Sequence, residues 1–200
     1  REREVLHRLA KATAFRDGSS GNHFERMARI SALIAEAMGL PEEEVKMIEL
    51  AAPLHDIGKL GVSDAILLKP GKLDAAEYAQ AKQHPRLGYE ILSDSSSRFV
   101  QVGATIAQHH HERWDGAGYP AGLAGEAIPL PARIVALVDV FDALTTPRPY
   151  KEAWTLAAAF DYVKSQSGLQ FDPAVVDAVL ARRDRIEEIH RYFAPAANAA

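Results

Sequence analysis

The segment ARIVALVDVFDAL, which follows Pro131, constrains this fold more than any other stretch. It reads as an apolar helix interrupted by two carboxylates, Asp139 and Asp142, three residues apart on one face. Burying two carboxylates there without partners is expensive. One reading gives them a salt bridge, with Arg133 or Arg148 as the cation. The other makes them part of a polar site.

The remaining chain has the same helical grammar. Residues 2–16 form a helix pattern with Val5, Leu6, Leu9 and Thr13 on one side. RDGSSGN is a turn, and a second helix runs from about Asn22 to Met38 and stops at Gly39. Pro41 opens a third, with Glu42, Glu43 and Glu44 in its electropositive first turn, ending near HDIGK. Asp74 and Glu77 form a capping-box pair. Short helices follow around 85–92 and 98–109, then a glycine- and proline-rich loop over 115–131. Thr155 and Asp172–Pro173 start the last two helices. Strand alternation, internal repeats and low-complexity linkers do not stand out, so the fold class is all-α. The Ala-rich tail, residues 196–200, reads as a frayed end.

Two hundred residues are enough for one domain with a good core. A net charge of −4 argues against a nucleic-acid polymer as partner. No apolar run is long enough to span a bilayer and no signal peptide opens the chain, so the expected location is the cytoplasm. The first residue is Arg1 rather than Met, as in a piece of a longer protein. With no cysteine, any metal must be held by nitrogen and oxygen ligands.

The polar residues that break the apolar faces are the candidates for chemistry. His23 stands in line with Met27, Ile30 and Ile34, where a lone histidine usually serves as a satisfied core residue. In LHDIGKLG, His55 and Asp56 follow the apolar run MIELAAPL; alone, they also suit a helix end. His84 precedes Pro85 and has the same ordinary reading. His109, His110 and His111 are adjacent, and each helical step turns by about 100°, so the three cannot face one way. Together these groups and Asp139 give metal-competent side chains from five segments. Such a set suits iron or manganese better than a structural zinc. Two close metal ions clamp a phosphoryl oxygen and supply a nucleophile from water. Lys59, Arg148 and Lys151 lie near the motifs and can neutralise phosphate, although a solvated cationic surface explains each singly.

HDIGK, then His84, then HHERWDGAGYP, then DVFDALTTPRPYK, in this order and spacing, resemble the HD-GYP family, a branch of the HD phosphohydrolase superfamily. The likeness runs from about Arg16 to about Asp177. It implies an HD-domain helical bundle with a metal site at helix termini. It also implies a cytoplasmic enzyme that hydrolyses cyclic di-GMP, with linear pGpG as the first product and a second cut to GMP less expected with two metals. The family pattern assigns metal contacts to His23, His55, Asp56, His84, His110, His111 and Asp139, with Asp56 bridging two metals. His109 would stand behind the ligands or face solvent. Lys59 would act on the substrate phosphate, and Tyr119, Asp142, Arg148 and Lys151 would contact the nucleotide. Gly118, Tyr119 and Pro120 match the GYP loop, which borders the entrance and in some members binds GGDEF-type diguanylate cyclases; Trp114 or Tyr119 would be its exposed aromatic.

One position departs from the family. A glutamate that many members carry four residues before the first histidine is Ser19 here, so two metals are expected, iron or manganese, rather than three. Residues 1–16 resemble the helix that links such domains to an upstream receiver domain, residues 17–195 the domain itself. A homodimer is compatible with this organisation. Two rival functions remain: a non-catalytic nucleotide-sensing module that holds a GGDEF cyclase, and a hydrolase of another cyclic dinucleotide or of (p)ppGpp.

Overall fold

The structure is a computed structural model that describes residues 2–16, 22–147 and 152–193, with side chains from residue 4 onward. Eleven helices are found among the described residues: α1 (Glu2–Arg16), α2 (His23–Ala37), α3 (Glu42–Ala51), α4 (Asp64–Leu67), α5 (Ala75–Ala81), α6 (His84–Leu92), α7 (Arg98–His109), α8 (Leu130–Thr145), α9 (Leu156–Ser165), α10 (Pro173–Ala181) and α11 (Arg183–Tyr192). Short 3-10 turns occupy Ala52–Leu54, Ile57–Gly61 and Gly125–Ala127. The only β feature among the described residues is an isolated bridge between Ser167 and Phe171. The all-α expectation therefore holds.

Local chemistry explains most boundaries. Gly39 ends α2 with φ at 78°, a left-handed backbone that glycine adopts without strain, and its N–H donates to Glu36 O. Asp74 and Glu77 close the capping box at the start of α5. Thr155 accepts from Ala158 N and Asp172 from Ala174 N, capping α9 and α10. The last expected helix is instead two, because the chain breaks at Arg182 between α10 and α11.

The apolar helix is central. In α8, Ile134, Val135, Leu137, Val138 and Phe141 are all buried, and the helix packs against α2, α7, α9 and α10. A helix apolar around its circumference needs such enclosure. A second core cluster gathers Ala10, Phe24, Leu54, Ile57, Leu92, Phe99 and Ala104 under α1, α6 and α7. The inward side of α1 differs from expectation. Ala10 and Thr13 are buried and Leu6 packs on the second cluster, whereas Val5 and Leu9 are exposed. The small Ala10 lets α1 lie close to the 3-10 turns that follow α3, which a face of larger side chains would hold off.

Candidate metal centre

Five elements converge on one point. His23 is the first residue of α2; His55 and Asp56 lie between the two 3-10 turns after α3; His84 begins α6; His110 and His111 directly follow α7; Asp139 lies within α8. Because most of these residues sit at helix ends, the backbone can splay their rings in directions a continuous helix forbids. Gly58 brings two of the elements together. A Cβ added there would stand 1.9 Å from His84 O and 2.4 Å from Gly88 N, so only glycine allows α6 to lie against HDIGK.

Backbone carbonyls orient three of the rings. His55 Nδ1 donates to Ala52 O at 2.9 Å, His84 Nδ1 to Ala81 O at 2.8 Å, and His110 Nδ1 to Ala107 O at 3.0 Å. Each bond directs Nε2 toward the centre, as in metal sites whose ligands are held from behind. The seven side chains form two sets whose ligand atoms lie within 4.8 Å of one another: Asp56, His84, His110 and His111, and His23, His55 and Asp139. Asp56 stands between them. Its Oδ2 is 3.4 Å from His55 Nε2, while its Oδ1 is 3.4 Å from His84 Nε2 and 3.6 Å from His110 Nε2. Lys59 reaches back over one turn to place Nζ 2.6 Å from Asp56 Oδ2.

The donor set fits metal ions. His55 Nε2 is buried without a hydrogen-bond partner, an orphan that a cation would satisfy. Burial lowers the His55 pKa, yet Asp56 and Asp139 overcome this and raise it to about 9, so the position favours positive charge. Burial first, then His110, overrides Asp56 and lowers His84 to about 4. Burial followed by His110 and His84 also holds His111 far below its ordinary range. Neutral rings with free lone pairs are the form that ligates. Burial works against ionisation of Asp56, but Lys59 and His55 prevail and keep its carboxyl well below the usual range.

Asp142, expected at the nucleotide, has its carboxylate engaged within the protein. Its carboxylate is buried, accepts from Arg26 through Nε and from Arg26 Nη2 at 3.1 Å, and lies 2.6 Å from His23 Nδ1. Both oxygens are therefore engaged by His23 and Arg26. Burial opposes ionisation, but His23 and Arg26 outweigh it and lower Asp142 to about 2. Arg133 pairs instead with Asp172 at 2.6 Å, and Arg148 lies outside the described residues. Ser19, Lys151 and the 196–200 tail also lie outside them. Arg26 was missed from sequence, although its spacing of three from His23 puts both on one helix face.

Glu112 was missed as well. Its buried carboxylate accepts from Ala121 N at 2.7 Å and Leu123 N at 3.0 Å, tying the glycine-rich loop to the end of α7. The half-buried His109 faces it, with Nδ1 3.8 Å from Glu112 Oε1. Gly118 passes so near that a Cβ would lie 2.4 Å from Arg113 N and 2.6 Å from His111 O. Tyr119 stacks on the His111 ring at a centroid distance of 4.8 Å. Trp114 and Tyr119 are both half-buried, and Trp114 is fixed by N–H donation to Gln170 O at 3.1 Å and by Arg133 across its ring. Pro120 is exposed. A cleft lined in part by Tyr78, His111, Tyr119 and Asp139 opens beside the centre.

A family model described as HD domain matches residues 7–175. The chain belongs to the HD-domain family. HDIGK and Gly118-Tyr119-Pro120 place it in the HD-GYP branch, in agreement with the relatives. It is 58% identical over 196 residues to the cyclic di-GMP phosphodiesterase response regulator RpfG of Xanthomonas campestris, covering 98% of this chain and 52% of that protein. It is 47% identical over 188 residues to a cyclic di-GMP phosphodiesterase of Thermotoga maritima, covering 94% of this chain and 51% of that one. A 3′3′-cGAMP-specific phosphodiesterase of Vibrio cholerae is 44% identical over 182 residues, 91% of this chain and 35% of its own. The HD-GYP chain thus spans about half the length of its first two curated relatives. A solved cyclic GMP-AMP phosphodiesterase of V. cholerae shares the fold at a TM-score of 0.72 and 20% identity, over 97% of this chain and 51% of that one.

Proposed function

We propose that this domain is a metal-dependent phosphodiesterase that adds water across one P–O3′ bond of cyclic di-GMP, giving linear pGpG, with GMP as a later product. The observation that carries this reading is the Asp56 carboxylate, which turns one oxygen toward His55 and the other toward His84 and His110. Asp56, His84, His110 and His111 would hold one ion and His23, His55 and Asp139 a second, with Asp56 standing between the two sets. When bound, such a pair supplies Lewis acidity and an activated water at neutral pH. Iron or manganese suits this mixture of imidazole and carboxylate.

The chain's own residues do the rest. Asp142 fixes the tautomer and direction of His23 from behind, and carbonyls do so for His55, His84 and His110. Lys59 carries a positive charge to the centre, where it offsets charge gathering on the phosphate oxygens. Tyr119 and the cleft that it lines would receive a nucleoside, with Arg148 and Lys151 assigned to the nucleotide by the motif alone. The names of the Xanthomonas and Thermotoga relatives support cyclic di-GMP. The V. cholerae relatives support 3′3′-cGAMP as the second candidate. The GYP loop remains a proposed docking element for GGDEF cyclases. An upstream receiver domain agrees with the response-regulator name of one relative, and a cytoplasmic location with the absence of a membrane-crossing helix among the described residues.

The test is elemental analysis of anaerobically purified protein together with product chromatography on cyclic di-GMP, 3′3′-cGAMP and ppGpp. Two metals per chain and fastest turnover of cyclic di-GMP are expected. Three well-occupied metals, or preference for another substrate, would replace the corresponding part of this reading. Lys59→Ala should keep both metals and lose turnover by about a hundredfold, the usual effect of removing one charge-stabilising donor. Loss of metal in that variant, or a wild-type rate, rules out the phosphate role.

A further inference from the structure

Arg16, the last residue of α1, lies outside the ligand set but is bonded to the segment that carries it. Its Nη1 donates to Lys59 O at 2.8 Å, its Nη2 to Val62 O at 2.7 Å, and its Nε to Asp64 Oδ1 at 2.9 Å. Lys59 lies in the 3-10 turn Ile57–Gly61, where its carbonyl also accepts from Val62 N at 3.0 Å, and Val62 is the residue that follows the turn. A planar guanidinium serves several acceptors at fixed angles, which an ammonium cannot do. The contact spans more than forty residues of sequence, so local chain stiffness does not enforce it. The rest of α1 is anchored beside it: His7 Nε2 lies 3.1 Å from Leu50 O, Ala10 and Thr13 are buried, and the His7 ring meets Phe24 edge-on.

We infer that Arg16 is a positioning residue for catalysis: by holding the carbonyls of Lys59 and Val62, it fixes the backbone from which Lys59 reaches the phosphate, and couples the placement of α1 to that lysine. The side chain itself touches neither substrate nor metal. His55 is also held by the Ala52 carbonyl, and Asp56, besides its contact with Lys59, by His55, His84 and His110. Loss of Arg16 therefore loosens Lys59 without emptying the centre. A displacement of α1 by anything attached to it would act through the same bonds.

This inference rests on the phosphodiesterase reading, and the experiment separates the two. Wild type, Arg16→Ala and Arg16→Lys of the full chain are loaded with Mn(II) and compared for metal content, kcat and KM on cyclic di-GMP, and amide hydrogen exchange over residues 59–64. Arg16→Ala should retain its metal and keep KM within about twofold, lose kcat by about tenfold, and exchange faster at 59–64. Arg16→Lys should recover part of kcat, since one carbonyl regains a charged donor. A wild-type kcat in Arg16→Ala, or a kcat loss that follows metal loss, overturns the positioning role. Should Arg16→Ala fail to fold, Arg16→Lys alone decides, by lowered kcat at full metal content or by none. If wild type turns over no cyclic dinucleotide, the phosphodiesterase reading fails, while unchanged exchange at 59–64 in Arg16→Ala still refutes the clamp and faster exchange supports it.

Discussion

Asp142 shows how far a single residue can be read from sequence. Its place on an apolar helix marks it as costly to bury, and the motif assigns it to substrate, but neither reveals which cation answers it. That depends on α2 lying beside α8, a tertiary fact that brings Arg26 and His23 to its two oxygens. The seven ligand candidates were legible because spaced histidines and carboxylates from five segments have few other joint explanations. Arg26 and Glu112 were not, because each works through partners more than one hundred residues away or through backbone N–H groups. A pH dependence follows from Asp142. Its folded pKa, about 2, is depressed below the ordinary carboxyl value. Its stabilisation is thus complete above about pH 4 and vanishes as pH falls toward 2; two units correspond to about 2–3 kcal/mol. Asp142→Asn should lower the Tm of metal-free protein most at pH 6–7, where buried Arg26 loses its counter-charge. The gap to wild type should narrow as pH falls from about 4 toward 2, because the unfolded carboxyl protonates first and the folded carboxylate follows only near 2. Parallel Tm curves across that range would show that the carboxylate charge contributes nothing.

Helix starts and stops were the most legible elements. The caps at Asp74, Thr155 and Asp172 and the glycine stop at Gly39 lie within the local chain, and the structure keeps them. The break between α10 and α11 and the inward face of α1 were less legible, since neighbouring elements decide both. The contact between HDIGK and α6 is likewise a property of two elements, set by the missing side chain of Gly58. Gly58→Ala must push α6 back from a Cβ that would otherwise overlap His84 O. Overpacking of this kind costs about 1–3 kcal/mol. The larger effect falls on the site, because α6 carries His84 away from Asp56 and His110. Metal content of purified Gly58→Ala should fall, with the His84 set losing occupancy before the His55 set. A variant with lowered Tm but full metal content would show that α6 slides without moving His84.

At the scale of the whole molecule, the candidate centre joins α2, the turns after α3, α6, α7 and α8, elements drawn from both core clusters. His84 and His111 nitrogens stand 3.1 Å apart, and the buried His55 Nε2, with no hydrogen-bond partner, lies 3.4 Å from Asp56 and 3.7 Å from Asp139, so the packed helices hold a close cluster of donor atoms. A bound cation turns these contacts into bonds that cross-tie five segments. The unfolded chain presents the same ligands scattered over more than one hundred residues and binds far more weakly. Metal should therefore raise the Tm steeply. At a free concentration one hundred times its Kd, one ion adds about 2.7 kcal/mol by mass action, and two independent ions about twice that. Scanning calorimetry of chelated protein titrated with Mn(II) should show Tm rising with metal and still climbing after the first equivalent. A His55→Ala, Asp56→Ala double variant should keep the helical content of the chelated wild type but lose the metal-dependent rise. If the wild-type Tm is independent of Mn(II), or the double variant rises equally, the convergent side chains do not form a metal site that stabilises the fold.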